Sequence, residues 1–437
     1  MRDFLNSHRC LVPLYDNMNE WSSNRDFEGT VMDNFFNNLH YSNWLIGVKN
    51  MASLQNACKP PPNNRGNVVD AGNNTLPIGN TPEQVVTPNH LRKEGYKAIK
   101  KIGQGTFSEV VKTLSLKDLK FYACKTLKQT INSLEQAKNL REVQVMRRLS
   151  PHANIIQLHD LIFNKDTGTV SLICDLMEMN IHEFIQGRET PLPDHMVQNY
   201  MYQLCKALKH MHSYGIFHRD VKPENILIKQ NSLKLGDFGL CLSVSSRPPH
   251  TEYISTRWYR APECLLTSGY YDYKMDLWSA GCVFFEIMSL NPLFPGTSEL
   301  DQVDKIHNVL GTPDPSILQK FKRSRALDFN FTPRKGTGIS RLIPCCPAPA
   351  LSLLYQMLAY DPDERISAAT ALQHTCFREI RVAEQNPDSP RRLYSTASSD
   401  HIWRPRHTTL MSPRDEPHCP AFKTFYLPPL DRKPRDY

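Results

Sequence analysis

The sequence predicts an α+β fold in two unequal lobes, a small β-rich one followed by a larger α-helical one. Three observations lead there. Apolar runs alternate with turn residues almost without a break from Tyr96 to about Phe377, whereas the segments before and after are polar. A domain of that size, roughly 280 residues, suggests two lobes rather than one growing core. The first part of it, "YKAIKKIGQGTFSEVVKTLSL" and "KFYACKTLK", carries β-branched and aromatic residues broken by a glycine turn, which is strand texture. Beyond about residue 190 the pattern is mostly helical, and a small β part against a larger α part leaves a cleft between them.

Taken in chain order, residues 1–95 are polar, rich in asparagine and broken by "KPPPNN" and "TLPIGNTPEQVVTPNH". They show no sustained period of 2 or 3.6, apart from an aromatic cluster at Phe35, Phe36, Tyr41 and Trp44 that suggests one short helix in a disordered extension. The domain follows at 96–377, with the N-lobe at about 96–177 and the C-lobe at about 178–377. After the strands, Ser133 opens a helix. Gln136 three residues on completes a capping-box pattern, and Leu134, Leu140, Val143 and Met146 recur at helical spacing. "DLWSAGCVFFEIM" has no charge from Leu277 to Phe285, so it reads as a helix buried on all sides. Residues 378–437 return to a proline-rich, charged composition and read as a disordered tail.

Composition narrows the function classes. The 52 basic and 44 acidic residues of the 437 are interspersed, and the formal charge of +8 is a mild bias. A solvated surface explains it better than a nucleic-acid groove. No apolar run is long enough to span a membrane, and the N-terminus has charges where a signal peptide needs an apolar core. The expectation is a cytosolic protein, with nuclear or ciliary sites left open. Twelve cysteines without C-x-x-C pairs read as reduced thiols, including the adjacent Cys345 and Cys346. Cys241 reads as a small buried side chain.

The chemistry concentrates in "HRDVKPENILIKQNSLKLGDFG", His218 to Gly239. Ile226, Leu227 and Ile228 form one short strand, Leu233 and Leu235 another, and "KQNS" is the turn between them. The hairpin brings Asn225 and Asp237 to face each other. Two oxygen-bearing side chains plus substrate phosphates suit Mg²⁺, which keeps an oxygen octahedron and seldom sits in an all-protein cage. Asp220 lies upstream on a loop, free to accept a proton from a hydroxyl. Lys222 is placed to neutralise a phosphate in transit. That combination positions a nucleophile, clamps phosphates and spreads charge, so it points to phosphoryl transfer.

The rest of the domain supplies matching parts. "IGQGTFSEV" comprises Ile102, Gly103, Gln104, Gly105, Thr106, Phe107, Ser108, Glu109 and Val110. Its two glycines inside a β-hairpin let the backbone approach phosphates closely. By itself such a match is more often an ordinary glycine turn. Lys125 on the next strand reaches the α- and β-phosphates, although a lone strand lysine is usually solvated. Glu142 on the following helix pairs with Lys125, although most helix glutamates serve only solubility.

The ordered set decides between these readings. The glycine loop, Lys125, Glu142, "HRDVKPEN", "DFG" and "APE" (Ala261 to Glu263) resemble the eukaryotic protein kinases. The resemblance covers about residues 96–377 and extends to Asp276 and to Arg365 in "DPDERIS", which in kinases pairs with the glutamate of "APE". One departure is visible: the third loop glycine is Ser108, which stiffens the loop. Lys222 in "HRDVKPEN" is similar to serine/threonine kinases. "TEYISTRWYRAPE" resembles the mitogen-activated branch of the CMGC group, and "YMYQLCKALKHMH" and "GIFHRDVKPENILIKQ" resemble kinases overlapping the MAPK, MAK and MRK groups.

The resemblance implies an ATP-dependent, Mg²⁺-using protein serine/threonine kinase, with protein substrates whose Ser or Thr is followed by proline. It implies Thr251 and Tyr253 as activating phosphosites, served by an upstream kinase or by autophosphorylation. Arg219 would then meet the phosphothreonine, and Arg257 and Arg260 the phosphotyrosine. It implies Cys174 as gatekeeper, with the Asp175 and Met177 backbone holding the adenine edge. The alternatives are a pseudokinase-like scaffold, which typically lacks Lys125, Asp220 or Asp237, and a small-molecule kinase, which the "APE" segment argues against.

Overall fold

The computed structural model describes residues 86–251, 256–321 and 331–385. The aromatic cluster at Phe35 to Trp44, Tyr253, and the residues before 86 and after 385 lie outside that set. Five strands form one antiparallel sheet: β1 (Tyr96–Gln104), β2 (Ser108–Ser115), β3 (Phe121–Leu127), β4 (Leu158–Asn164) and β5 (Thr169–Asp175), in the order β1-β2-β3-β5-β4. The alternation along β3 and β5 gives the sheet two buried faces. Cys124 and Ile173 pack in one cluster with Tyr96 and Ile162, while Leu172 and Cys174 belong to the main core.

The structure also describes residues ahead of Tyr96, where the sequence places the domain start. Helix α1 (Asn89–Lys93) precedes β1, and its Leu91 is buried in the cluster with Cys124 and Ile173. A single apolar residue in a polar stretch carries no period, so nothing in the sequence marks it. The predicted helix from Ser133 is two helices, α2 (Leu134–Lys138) and α3 (Arg141–Leu149). Ser133 does cap the first, its hydroxyl accepting Gln136 N–H at 3.1 Å, while the Gln136 side chain reaches the Asn132 amide. The break falls at Asn139 and Leu140: Asn139 folds its amide back onto Glu135 and Gln136, and Leu140 turns extended at φ −57, ψ 135. Leu134 is therefore exposed, and Val143, Val145, Met146 and Leu149 face the core.

The helical lobe comprises α4 (Ile181–Ile185), α5 (Asp194–Ser213), α6 (Pro262–Leu266), α7 (Met275–Ser289), α8 (Glu299–Leu310), α9 (Pro315–Lys320), α10 (Ala348–Met357), α11 (Ala368–Gln373) and α12 (Arg378–Gln385). As the charge-free run predicts, α7 is buried from Met275 through Ile287. Small β elements line the cleft side: β6 (Met179–Asn180), β7 (Ile216–Phe217), β8 (Ile226–Lys229), β9 (Ser232–Leu235) and β10 (Leu242–Ser243), paired as β6-β8-β9 and β10-β7. The β8–β9 register, Ile226 with Leu235 and Lys229 with Ser232, is the hairpin read from the sequence. The chain stays packed beyond 377. In α12, Glu384 accepts from Tyr202 at 2.7 Å and Lys206 at 3.1 Å on α5.

Two buried carboxylates organise the lobe. Asp276 at the start of α7 accepts the backbone amides of His218 (2.8 Å) and Arg219 (2.9 Å) and stands 2.9 Å from His212 Nε2. Burial opposes its ionisation, but His212 and the amides outweigh it and hold the carboxyl below its usual range. Glu263 is bound in a fork by Arg365 at 2.6 and 2.9 Å, and Arg365 also donates to Ala359 O and Lys274 O. We expect Arg365→Ala to destabilise the domain by about 3–5 kcal/mol, because it leaves the Glu263 charge buried and unpaired. Chemical denaturation measures it, and a loss below about 1 kcal/mol, the level of an exposed ion pair, contradicts the expectation. Among the described residues, no helix is long and apolar enough to cross a membrane.

Candidate active site

The loop between β7 and β8 carries Asp220, Lys222 and Asn225. His218 fastens it from below. Its Nδ1 accepts the Asp220 amide at 3.2 Å, so its Nε2 holds the proton and donates to Gly236 O at 3.0 Å. The loop is thereby tied to the residue preceding Asp237, and the Gly236 amide donates to Asn225 O at 2.9 Å. Arg219 and Asp237 both hold positive φ, +70 and +62, conformations that a non-glycine residue keeps only when its surroundings enforce them. For Arg219 the enforcing group is Asp276, which fixes its amide.

Asp220 is buried, and its two oxygens are in different situations. Oδ2 accepts Asn225 Nδ2 at 2.9 Å and lies 3.0 Å from Lys222 Nζ. Oδ1 is buried and has no hydrogen-bond partner. A buried acceptor left open is costly unless something else occupies it in the working state. Asn225 Nδ2 also donates to Asp220 O at 2.8 Å, which turns its amide oxygen away from Asp220. Lys222 reaches on to Thr256 Oγ1 at 3.4 Å.

Lys125 on β3 stands 2.6 Å from Glu142 Oε1 and 3.0 Å from Asp237 Oδ1. Burial works against its charge, but the two carboxylates outweigh it and hold the ammonium above its usual range. Burial likewise opposes ionisation of Asp237, and Lys125 outweighs it, so this carboxyl lies below its usual range. The strand, helix and loop that carry the three groups are far apart in sequence, and the cleft brings them together.

The glycine loop closes the β1–β2 hairpin. Gly105 N donates to Ser108 O at 2.8 Å, and Lys128 grips the tip through its amide to Phe107 O (3.0 Å) and its Nζ to Gly105 O (2.6 Å). Lys101 Nζ lies 2.7 Å from both Gln104 Oε1 and Glu109 Oε1. Ser108 opens β2 opposite Leu127 with no positive φ, so the backbone there does not need a glycine. Cys174 is buried near the end of β5, where burial pushes its thiol up. Asp175 spends its carboxylate on Lys234 (2.9 Å) and His159 (2.8 Å), and its amide on Gln157 O. Met177 follows two residues on and is half-buried.

Of the residues expected to receive phosphate, Arg219 donates through Nε to Leu240 O at 2.6 Å and through Nη1 to Tyr271 Oη at 3.1 Å. Tyr271 in turn donates to Thr251 O at 2.7 Å. Thr251 is thus two hydrogen bonds from Arg219. Arg257 donates to Thr297 O and Arg260 pairs with Glu299 at 3.4 Å. Sequence reasoning passed over Arg141. Its Nε is buried without a partner, and burial and the nearby Arg219 charge both lower its pKa. Its signal was its place directly before Glu142, on the helix turn that faces the cleft.

Mg²⁺ fits the residues present. Asp237 offers an ionised carboxylate and Asn225 an amide oxygen, both hard donors of the kind that cation takes alongside phosphate oxygens. Among the described residues, no group of three or more His, Cys, Asp or Glu is arranged to hold a metal by itself.

Comparison with known proteins adds to this geometry. The family described as "Protein kinase domain" matches residues 96–377. The chain is 62% identical to the MAPK/MAK/MRK overlapping kinase of Homo sapiens over 292 residues, 67% of this chain and 70% of that protein. It is 59% identical to the MAPK/MAK/MRK overlapping kinase of Mus musculus over 317 residues, 71% of this chain and 76% of that protein. It is also similar to cyclin-dependent kinase F-4 of Oryza sativa subsp. japonica, 36% identical over 335 residues, 75% and 72% of the two chains.

Proposed function

This chain belongs to the protein kinase family and is a serine/threonine kinase of the CMGC, MAPK-like kind, and on that premise we propose the roles of its residues, its target preference and its switch. Asp220 Oδ1 receives the proton of the target Ser or Thr hydroxyl. The hydroxyl oxygen then attacks the γ-phosphorus of ATP, the bond to the β,γ-bridging oxygen breaks, and ADP leaves with that electron pair. The observation that carries this reading is the buried, unpartnered Oδ1 beside an Oδ2 held by Asn225 and Lys222. Lys222 moves from Asp220 to the transferring phosphoryl group and spreads its charge. Lys125, locked by Glu142, anchors the α- and β-phosphates under the loop Ile102 to Val110, and the Asp175 and Met177 backbone holds the adenine edge. Mg²⁺, when bound by Asp237 and Asn225, supplies charge neutralisation on the phosphates.

Activation rests on Thr251 and Tyr253. A phosphate adds about −1.5 to −2 charges and three acceptor oxygens. At Thr251 it would draw Arg219 from Tyr271 and Leu240, with Arg141 beside it, and the planar guanidinium fork binds such oxygens in pairs. Arg257 and Arg260 serve the phosphate on Tyr253. The segment 254–260 shapes a pocket for proline after the target residue, since proline brings no N–H to leave unpaired.

Purified protein on an oriented peptide library with Mg·ATP tests activity and preference together. We expect transfer to Ser and Thr, enriched for a following proline, and lower activity for Thr251→Ala and Tyr253→Phe than for the phosphorylated form. Equal activity of all three forms on matched Ser-Pro and Ser-Ala peptides defeats both the switch and the preference. Binding of nucleotide without transfer favours the scaffold reading instead.

A further inference from the structure

We propose that residues 87–93 form a strap across the outer face of the five-stranded sheet, and that Leu91 acts through it as a positioning residue for Lys125. The strap is held at three points. Thr87 Oγ1 accepts the Ala98 amide at 3.0 Å, on edge strand β1 where the register with β2 shifts. His90 Nε2 lies 3.2 Å from Ser171 Oγ, which is 3.0 Å from Thr126 Oγ1. Leu91, only 2% exposed, fills the cluster of Tyr96, Cys124, Ile162 and Ile173. Gly95, at φ +81, then ends the short helix and turns the chain directly into β1.

The position of that cluster gives it a catalytic consequence. Successive side chains on a strand point to opposite faces, so Cys124 and Thr126 flank Lys125 from behind, and Ser171 and Ile173 flank Leu172. Lys125 pairs with Leu172 across the β3–β5 ladder. The strap therefore packs in one cluster with Cys124 on β3 and Ile173 on β5, bonds Ser171, and reaches Thr126 through Ser171. Protein interiors are close-packed, so a void opened behind β3 is relieved by movement of the strand. Lys125 rides on that strand, and its 2.6 Å contact with Glu142 tolerates little displacement. The inference rests on the reading of Lys125 as the phosphate anchor.

The test uses the full chain. Leu91→Ala is compared with Leu353→Ala, which opens a void of the same kind in α10 of the helical lobe, where Leu353 is fully buried. Leu91→Met restores the volume. Thermal melting and the KM for ATP are read well below the melting temperature, with Lys125→Met alongside. We expect both alanine variants to melt lower, by on the order of 10 °C. Only Leu91→Ala should raise KM for ATP, roughly 3–10-fold, with kcat less changed, and Leu91→Met should return it toward wild type. An unchanged melting temperature for Leu91→Ala shows that the strap is not packed and overturns the proposal. A KM no higher than that of Leu353→Ala overturns it too, leaving a purely structural role. If Leu91→Ala does not fold, Leu91→Val carries the same comparison. A Lys125→Met variant with undiminished activity would instead refute the anchor reading, a result distinct from either failure of the strap.

Discussion

Replacing Asp220 with asparagine should lower kcat by about 10²–10⁴ while leaving the fold and the KM for ATP close to wild type. That range is what a positioned proton acceptor contributes. The substitution keeps the shape of the side chain and one oxygen. That oxygen can stay where Oδ2 is, 2.9 Å from Asn225 Nδ2, so the loop need not rearrange. The amide nitrogen then occupies the place of Oδ1, the buried acceptor with no partner. There it donates where the reaction needs an acceptor, and it faces the incoming hydroxyl with a proton already in place. Steady-state kinetics with Mg·ATP and a Ser-Pro peptide, together with a melting curve, measures both halves of the expectation. A variant that kept more than about half of the wild-type rate, far above the range for that role, would falsify the assignment of Asp220 as the base.

The parts of this site that were legible in the sequence share a property: short loops fix their spacing. Asp220, Lys222 and Asn225 lie within six residues, and the β8–β9 hairpin that brings Asp237 back is two short strands and a tight turn. The buried helix α7 was legible from its uninterrupted apolar run. What escaped depends on distant contacts or on single residues. Leu91 is one apolar side chain in a polar stretch, and its burial depends on Ile162 and Ile173, some seventy to eighty residues on. The break between α2 and α3 depends on Asn139 folding its amide back, which competes with a helical period that Leu140 and Val143 otherwise continue. The partners of Arg257 and Arg260, Thr297 and Glu299, lie on and just before α8, about forty residues ahead. No local pattern announces such pairings, so the arginines were readable as cations but their resting partners were not.

Removing the charge of Lys125 should affect both chemistry and electrostatics. We expect Lys125→Met to lower kcat/KM by roughly 10²–10³, the range for loss of one preorganised charge-stabilising donor. The wild-type ammonium joins Glu142 and Asp237, two carboxylates from different parts of the fold. Methionine fills similar space but leaves Glu142 enclosed with no cation, and it removes the charge that outweighs burial at Asp237. The Asp237 carboxyl should therefore move up from its depressed position. A carboxyl with a depressed folded-state pKa contributes stability above its unfolded value, and that contribution is lost as pH falls through the folded value. In wild type the loss comes below the usual carboxylate range. In Lys125→Met the Asp237 share of that loss should come at higher pH, while Glu142, already held above its usual range by burial, moves further up and works in the opposite sense, adding stability as pH falls. Metal binding that depends on ionised Asp237 should shift to higher pH with that carboxyl. A raised folded-state pKa at Lys125 works in the opposite sense, contributing stability that is lost only as pH rises through that value. The two effects separate by titration: denaturation of both proteins from pH 3 to 7 reports the acid limb, and Mg²⁺ dependence of nucleotide binding across the same range reports the metal site. An unchanged pH dependence of Mg²⁺-dependent nucleotide binding in Lys125→Met would show that Asp237 does not depend on Lys125 for its ionisation. The shared anchoring of phosphate and metal at this point of the cleft would then have to be assigned to other groups.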